Sequence, residues 1–486
     1  MEFPVPSCIS RRRFLQVTGY AATVVALRGQ GAPGANEQVR IGLIGCGGRG
    51  HSLASQFSGL PQTVVVAVSD PDTSRMDQVR ASLQKRPGAQ PAELFRDYRK
   101  LLDRKDIDAV VIASPNHWHA LHCIHACQAG KDVYVEKPVA HDLWSGRQMV
   151  AAARRYKRVV QAGTQNRSDV GLIKAFDFIR QGKIGKIKAV RGLCLQNRQA
   201  IGKVTTPIQP PATLDYNLWL GPAMDEPIYR PQFHYDWHWV YNTGNGDIGN
   251  QGAHELDLIR WVLGDPAMPV RIQGFGGRFG WNDAGQTANM QAAWFTLNEV
   301  PVIFEVNDIC QKPDLNAATS FKGIRVGVIV TCEQGEFRGG RGGGYVLGPD
   351  GKTTIEKFPG DSGAHHAQNF IDTVRSRRMD DLRAPIAQAH QSAALTHLAN
   401  LSLRSGDSLT LEKLPAALPG HADLQELVLR QQSQLREWKV DLKTTPCTLG
   451  AGLTIDPATE TPTGPEKSRK LYQPEYRAGF TIPKFC

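Results

Sequence analysis

Beyond its first 35 residues this 486-residue chain has no apolar run long enough to span a bilayer, which argues against a helical membrane anchor in the folded product. Cysteine is sparse, nine in all, and no two stand as C-x-x-C, so the pattern offers neither a paired metal site nor a dithiol motif. Cys123 and Cys127, at i and i+4, read as packing partners, and only Cys447 and Cys486 in the loop-rich tail suggest a disulfide. Lysine and arginine outnumber the acids, for a formal charge of +11, yet they form no stripe with interleaved aromatics, which argues against nucleic acid as a partner. A basic excess of this size suits an anionic cofactor. With 41% hydrophobic residues the chain can bury the cores of a two-domain globular enzyme.

What is present begins at residues 39–50, a short apolar strand running into a glycine loop. Gly45, Gly47 and Gly50 hold G-x-G-x-x-G spacing: a tight turn, backbone approach to a pyrophosphate, and close packing of helix on strand. Amides at the following helix N-terminus would hold the anion. A second apolar strand, 64–68, ends beside Asp70, 20 residues past Gly50, where a carboxylate would take the ribose hydroxyls of NAD. Arg75 stands close enough to meet a 2′-phosphate, so NAD is preferred and NADP stays open. Further strands at 108–114, 132–136 and 158–162 alternate with helices at 120–129 and 141–155, the pattern of a parallel sheet covered on both faces. Its ligands should gather at the strands' carboxyl ends, at Gly45, Asp70, Ser114 and Glu136.

After residue 163 the pattern changes. Runs at 187–194, 270–275, 290–295, 302–306 and 324–332 read as longer, mostly antiparallel strands with helices among them, an α+β domain. The expected division is 1–35 export signal, 36–163 Rossmann domain, 164–405 α+β substrate and oligomerisation domain, and 406–486 a C-terminal extension that no motif places. Residues 207–245 carry Trp219, His234 and Trp237 in a Pro- and aromatic-rich insertion, which reads equally as a sugar site or as aromatic core under a long loop. His234 and His238 lack an identifiable third ligand, so no metal site is expected. The glycine-rich run 338–344 reads as a flexible hairpin loop. The histidine pairs His365 with His366 and His390 with His397 read as core or solvent-facing groups.

At the N-terminus, Ser10-Arg11-Arg12-Arg13-Phe14-Leu15-Gln16 precedes the apolar residues 17–27 and then small residues to about 35. This ordered series resembles a twin-arginine export signal, and its removal, four arginines with Glu2, lowers the charge from +11 to +8. A soluble periplasmic product is expected.

Four stretches together resemble the Gfo/Idh/MocA oxidoreductases, in particular the exported branch that includes glucose-fructose oxidoreductase: 45–50, Ser114-Pro115-Asn116-His117-Trp118-His119, Glu136-Lys137-Pro138, and the Gly-Asp-Ile-Gly-Asn-Gln-Gly-Ala-His-Glu-Leu-Asp core of 244–264. The resemblance covers about 37–405. It implies NAD(P)-dependent chemistry at a hydroxyl-bearing carbon of a sugar or cyclitol. It also implies cofactor contacts from Gly48, Arg49, Ser114, Asn116, His119, Glu136 and Lys137 in addition to the glycines and Asp70, and a homo-oligomer built through the C-terminal sheet.

The residues make chemical sense of it. A carbinol proton must leave as the C–H bond breaks, so a cation or base belongs at that oxygen; Lys137 can hold the alkoxide and, if burial lowers its pKa, accept the proton. On the expected helix 250–263, His254 shares a face with Asn250 and Asp257, so it can relay a proton while Asp257 orients it; the plain alternative is a core histidine on a backbone carbonyl. Many relatives place Asp where this chain has Asn250, and an amide takes no proton at neutral pH. Base duty therefore falls on Lys137 and His254. Besides a sugar, cyclitol or glycoside oxidoreductase with self-recycled cofactor, two readings stay open: a glycosidase or lyase using transient oxidation, and a non-catalytic sugar- or dinucleotide-binding protein.

Overall fold

The computed structural model describes residues 38–485 apart from 87–89, 270, 419 and 421. The twin-arginine stretch and Cys486 lie outside the described residues; Cys447 is a buried free thiol, as are Cys123 and Cys127.

The first half is a six-stranded parallel sheet in the order β3-β2-β1-β4-β5-β6. Its elements are β1 (Val39–Ile44), α1 (Gly48–Ser58), β2 (Thr63–Ser69), α2 (Thr73–Gln84), β3 (Glu93–Phe95), α3 (Tyr98–Asp103), β4 (Ala109–Ile112), α4 (Asn116–Gln128), β5 (Asp132–Val135), α5 (Leu143–Tyr156) and β6 (Val160–Ala162). The strands are continuous apolar, β-branched runs because both faces are buried. Alternate side chains feed two cores: Val110, Ile112, Val133 and Val135 pack into one, Ala109, Val111 and Tyr134 into the other. Aspartates start three of the helices, Asp72 accepting from Ser74 N, Asp97 from Arg99 N and Asp142 from Ser145 N. The strand order reverses between β1 and β4, which opens a crevice at their carboxyl ends.

The second half is built on α6 (Val170–Arg180), β7 (Ile187–Leu195), α7 (Gly252–Val262), β8 (Arg271–Gly277), β9 (Met290–Leu297), β10 (Val300–Asn307), β11 (Val326–Cys332), β12 (Gly335–Gly340), β13 (Gly343–Leu347), β14 (Thr354–Pro359), α8 (His366–Ser376) and α9 (Ile386–Arg404). It continues through β15 (Asp407–Thr410), α10 (Ala422–Glu437), β16 (Pro446–Leu449), β17 (Leu453–Asp456) and β18 (Thr461–Thr463). These strands form one twelve-stranded sheet in which β7 and β10 are parallel and the other pairs antiparallel. Leu172, Phe176, Ile259 and Leu398, from α6, α7 and α9, cover one face; Leu424, Leu427, Val428 and Leu435 of α10 pack with Phe275 and Met290 on the other. The chain is thus an α/β protein, a Rossmann-type parallel domain followed by a domain with a large, mostly antiparallel sheet.

Several expectations change. The helix expected from residue 120 starts at Asn116, one turn earlier, because Pro115 has the extended conformation of a helix-entry residue. The helix expected over 250–263 is split: a turn at Asp247–Asn250 precedes α7, which starts at Gly252. The run 338–344 is no flexible loop but the ends of β12 and β13 paired around Arg341 and Gly342, where the positive φ of Gly342 makes the reversal tight. The C-terminal segment is structural throughout: β15 to β18 complete the large sheet, and Phe480 and Ile482 return to the parallel domain's core.

Candidate dinucleotide and catalytic site

At the crevice the chain leaves β1 through Gly45, whose φ of +93° and close approach to the Ser114 amide leave no room for a side chain. A Cβ at Gly50 would overlap the Gly45 carbonyl, so helix and turn can approach only with glycine there. At Gly47 and Gly48, by contrast, a Cβ would project into open space. This open cradle, ending in the free amides of α1, belongs to a cavity of about 690 Å³, of the size of cofactor sites. The fit to a dinucleotide is good: Gly45, Gly47, Gly48, Arg49, Asp70, Arg75, Ser114, Asn116, His119, Glu136 and Lys137 all line it, whereas Gly50 acts from beneath.

At one end, Asp70 accepts the amides of Cys46 (2.6 Å) and Asp72 (2.9 Å). Burial outweighs those bonds and lifts its carboxyl to about 6, so it is ionised and able to accept ribose hydroxyls at neutral pH. Arg75 lines the same mouth. In the middle, Arg49 spans the crevice to Glu136 at 2.7 Å, and Gln165 donates to the same carboxylate. Asn116 lines the cavity with its amide nitrogen donating to Asn245 Oδ1 (2.9 Å). The two nitrogens of His119 face the Pro138 and Ser114 carbonyls, 2.7 Å each, so it braces the loops and has neither nitrogen free for a cofactor.

At the other end Lys137 leaves β5 and donates through Nζ to the carbonyl (2.7 Å) and the side-chain oxygen (3.2 Å) of Asn250. Burial lowers its pKa despite the nearby carboxylates of Glu136 and Asp247. Two of three ammonium protons are thereby placed and the third is left for a substrate oxygen. His254, one turn on, lies behind the cavity rather than in its lining. Its Nδ1 has no partner among the described residues, and burial followed by the Lys137 charge keeps the imidazole neutral.

The expected role of Asp257 does not hold. Arg167 grips it through Nε (2.8 and 3.0 Å) and Nη2 (2.8 Å), and Ser392 donates to it at 2.7 Å. A buried carboxylate goes to the guanidinium that compensates its lost hydration, and here that lies away from His254. Sequence reasoning passed over the acid that does reach the site, Asp247. It is fully buried, holds Arg198 through two bonds (2.8 and 3.1 Å) and accepts from Asn250 Nδ2 at 3.2 Å. The signal was in the Gly-Asp-Ile-Gly-Asn run, three residues before Asn250. Asp308, buried next to Asp247, is pushed toward its protonated form by burial and by that negative neighbour. Glu255 is likewise driven up by burial, to about 8.

The aromatic insertion closes the cavity with Trp219, His234, Tyr235, Trp237 and His238. Trp219 is also core, packed on Phe233 at 4.5 Å between ring centres, as the core reading of the insertion expects. His234 bonds Asp72 at 3.0 Å and ties the insertion to the parallel domain. Trp237 stacks on His238 at 3.6 Å.

Comparison with known proteins agrees with this geometry. Residues 39–164 match the NAD-binding Rossmann fold of the Gfo/Idh/MocA oxidoreductase family, and 187–284 match that family's C-terminal alpha/beta domain. A levoglucosan dehydrogenase of Pseudarthrobacter phenanthrenivorans is 28% identical over 239 residues, 47% of this chain and 52% of the relative. A glycosyl hydrolase family 109 protein of a Shewanella species is 32% identical over 155 residues, 31% of this chain and 33% of the relative. The matches thus span a third to about half of those relatives' own length. The WlbA dehydrogenase of Bordetella pertussis, solved with NADH and UDP-GlcNAcA, shares the fold at 19% identity and a TM-score of 0.53, over 74% of this chain and 94% of that one. With a glycine cradle that fits a dinucleotide and both domains matched in order, residues 39–164 and 187–284 carry the two domains of the Gfo/Idh/MocA oxidoreductase family, the first of them its NAD-binding Rossmann fold.

Proposed function

We propose that this protein is an NAD-dependent oxidoreductase acting on a hydroxyl-bearing carbon of a sugar, cyclitol or glycoside, and that it retains its dinucleotide through successive turnovers. The observation that carries the reading is Lys137, held by Asn250 at one end of the same cavity whose other parts are the glycine cradle and Asp70. The cradle amides would hold the pyrophosphate and Asp70 the ribose. A nicotinamide dinucleotide bound there supplies the two-electron acceptor for the carbinol carbon. In the neutral form that its lowered pKa favours, Lys137 turns the Nζ lone pair to the substrate hydroxyl and takes the departing proton; the ammonium so formed keeps that third N–H at the oxygen and stabilises the charge there. Neutral His254 is the next group able to accept it. Asn250 positions Nζ and carries no proton itself. Trp219, Tyr235 and Trp237 offer apolar faces to a sugar and keep water from the reacting carbon.

The retained cofactor follows from the expected export. The run Ser10-Arg11-Arg12-Arg13-Phe14-Leu15 is read as a twin-arginine signal, a route for folded proteins to a compartment without an NAD pool, so the dinucleotide has to travel inside and be regenerated by a second substrate. Protein purified without added cofactor should release NAD on denaturation, read by mass spectrometry, and turn over repeatedly on a sugar pair. A protein that purifies empty and works only with millimolar free NAD removes the closed cycle and leaves an ordinary dehydrogenase. A second reading, transient oxidation that labilises a glycosidic bond, is favoured by the likeness to the family 109 hydrolase. Release of the leaving alcohol from a glycoside with no net change in cofactor redox state distinguishes it.

A further inference from the structure

Asn116 Nδ2 donates to Asn245 Oδ1 at 2.9 Å, and this pair forms part of a wall between two cavities. Asn116 lines the dinucleotide cavity, while Asn245 and His117 line a second cavity of about 390 Å³, large enough for a one- or two-ring sugar. Of the sequence motifs, 114–119 and 244–264 supply only His117 and Asn245 to it. Its walls come from the start of α5, the segment 222–226, the loop around Tyr241, α9 and the C-terminal residues 471–482.

Two groups in it have no counterpart in the protein. On α9, His397, Asn400 and Arg404 stand at i, i+3 and i+7, one face of the helix, and all three line the cavity. Arg404 lies over the Tyr241 ring, 4.4 Å from its centre, and among the described residues its guanidinium has neither a carboxylate partner nor a hydrogen-bond acceptor. A partly buried guanidinium left so is costly, and stacking on a phenol satisfies none of its five N–H donors. His397 is 7% exposed, and neither ring nitrogen has a hydrogen-bond partner among the described residues; Nε2 is fully enclosed. Burial holds His397 near 3 and His141 near 4, so both are neutral; His397 offers one donor and one acceptor, whereas His141 Nε2 already meets the Gly244 carbonyl at 3.3 Å. The carboxylates at this cavity are otherwise placed. Asp142 is occupied by Ser145 and by the Tyr476 hydroxyl, and Glu226 and Glu475 stand on the exposed rim. A single unpaired cation, neutral imidazoles and amides, and the apolar surfaces of Pro222, Leu401 and Ile482 suit a polyhydroxylated monoanion and disfavour a dianion.

We propose that this cavity is a second ligand site, separate from the dinucleotide site, for a hydroxy-carboxylate of the sugar-acid class, its carboxylate on Arg404 and its hydroxyls on His397 and the neighbouring amides. The site stands independently of the oxidoreductase reading. D-Gluconate is the probe and sorbitol, the same carbon chain without the charge, its control, titrated calorimetrically into the intact protein. Gluconate should bind at least tenfold more tightly than sorbitol, and Arg404→Met, which keeps the stem over Tyr241 and removes the fork, should weaken it at least tenfold. Met224→Trp, at an exposed position on the mouth, should block binding without touching the core. Lys137→Ala should leave gluconate affinity within twofold. Equal binding of sorbitol, full affinity in either cavity variant, loss of affinity in Lys137→Ala, or no heat at millimolar gluconate would each overturn the proposal, and none of them bears on the chemistry assigned to Lys137.

Discussion

The parallel and antiparallel halves meet at Lys137, and each treats its acidic residues differently. In the parallel half Asp70 stands at a strand end with two backbone amides as its partners, and its charge remains available at the mouth of the cavity. In the antiparallel half Asp247 and Asp257 are wholly enclosed and each is spoken for by an arginine, Arg198 and Arg167. Backbone amides leave carboxylate lone pairs open toward a ligand, whereas a bidentate guanidinium consumes both oxygens. The same side chain therefore serves recognition in one half and scaffolding or electrostatic support in the other, and the partner supplied by the fold makes the difference.

The largest test of this contrast is Gly47→Val. Gly47 has φ of −65°, which valine adopts without strain, and its Cβ would enter the open cradle. The variant should keep its fold by circular dichroism and lose detectable dinucleotide binding; a folded variant that still binds NAD at parental affinity would move the phosphate site elsewhere. Next, Lys137→Ala and His254→Ala should each retain bound cofactor and lose about two or more orders of magnitude in turnover. Near-parental turnover in the lysine variant would hand the base role to another group.

Asp257→Ala sharpens the scaffolding side. Leaving Arg167 with Asp265 alone should cost about 3–5 kcal/mol of stability in a denaturant titration, while turnover per folded molecule changes less than threefold. A kinetic loss as deep as that of Lys137→Ala would restore the orienting role that the geometry denies it. The smallest effect concerns pH. The Asp70 carboxyl, raised to about 6, is ionised above that value and protonated below it. Its repulsion of a 2′-phosphate should therefore fade as pH drops through about 6, and the preference for NAD over NADP should narrow there. Asp70→Asn should make that preference flat with pH, which competitive binding of the two dinucleotides would show.

The parts of the site legible in the sequence are those whose physics is local. A turn that excludes every side chain but hydrogen writes Gly45 and Gly50 into the chain, and strand ends in a parallel sheet write Asp70, Ser114 and Lys137 at its carboxyl edge. Helix periodicity put Asn250, His254 and Asp257 on one face, but it is silent on Lys137, 113 positions from the Asn250 that holds it. It failed at Asp257, since sharing a face with His254 cannot compete with Arg167, 90 positions away. The same limit hid Asp247, whose value comes from Arg198, and the C-terminal strands, whose pairing with β8 has no local signature. By itself the sequence determined the two sheet types, the glycine cradle and the lysine at its end, each set by backbone geometry over a few residues. Which buried charges meet, which histidines are left without partners, and that α9 and the C-terminal segment enclose a second cavity were decided only by the tertiary structure, because desolvated charges take the partner that packing brings near and not the one that stands next in the chain.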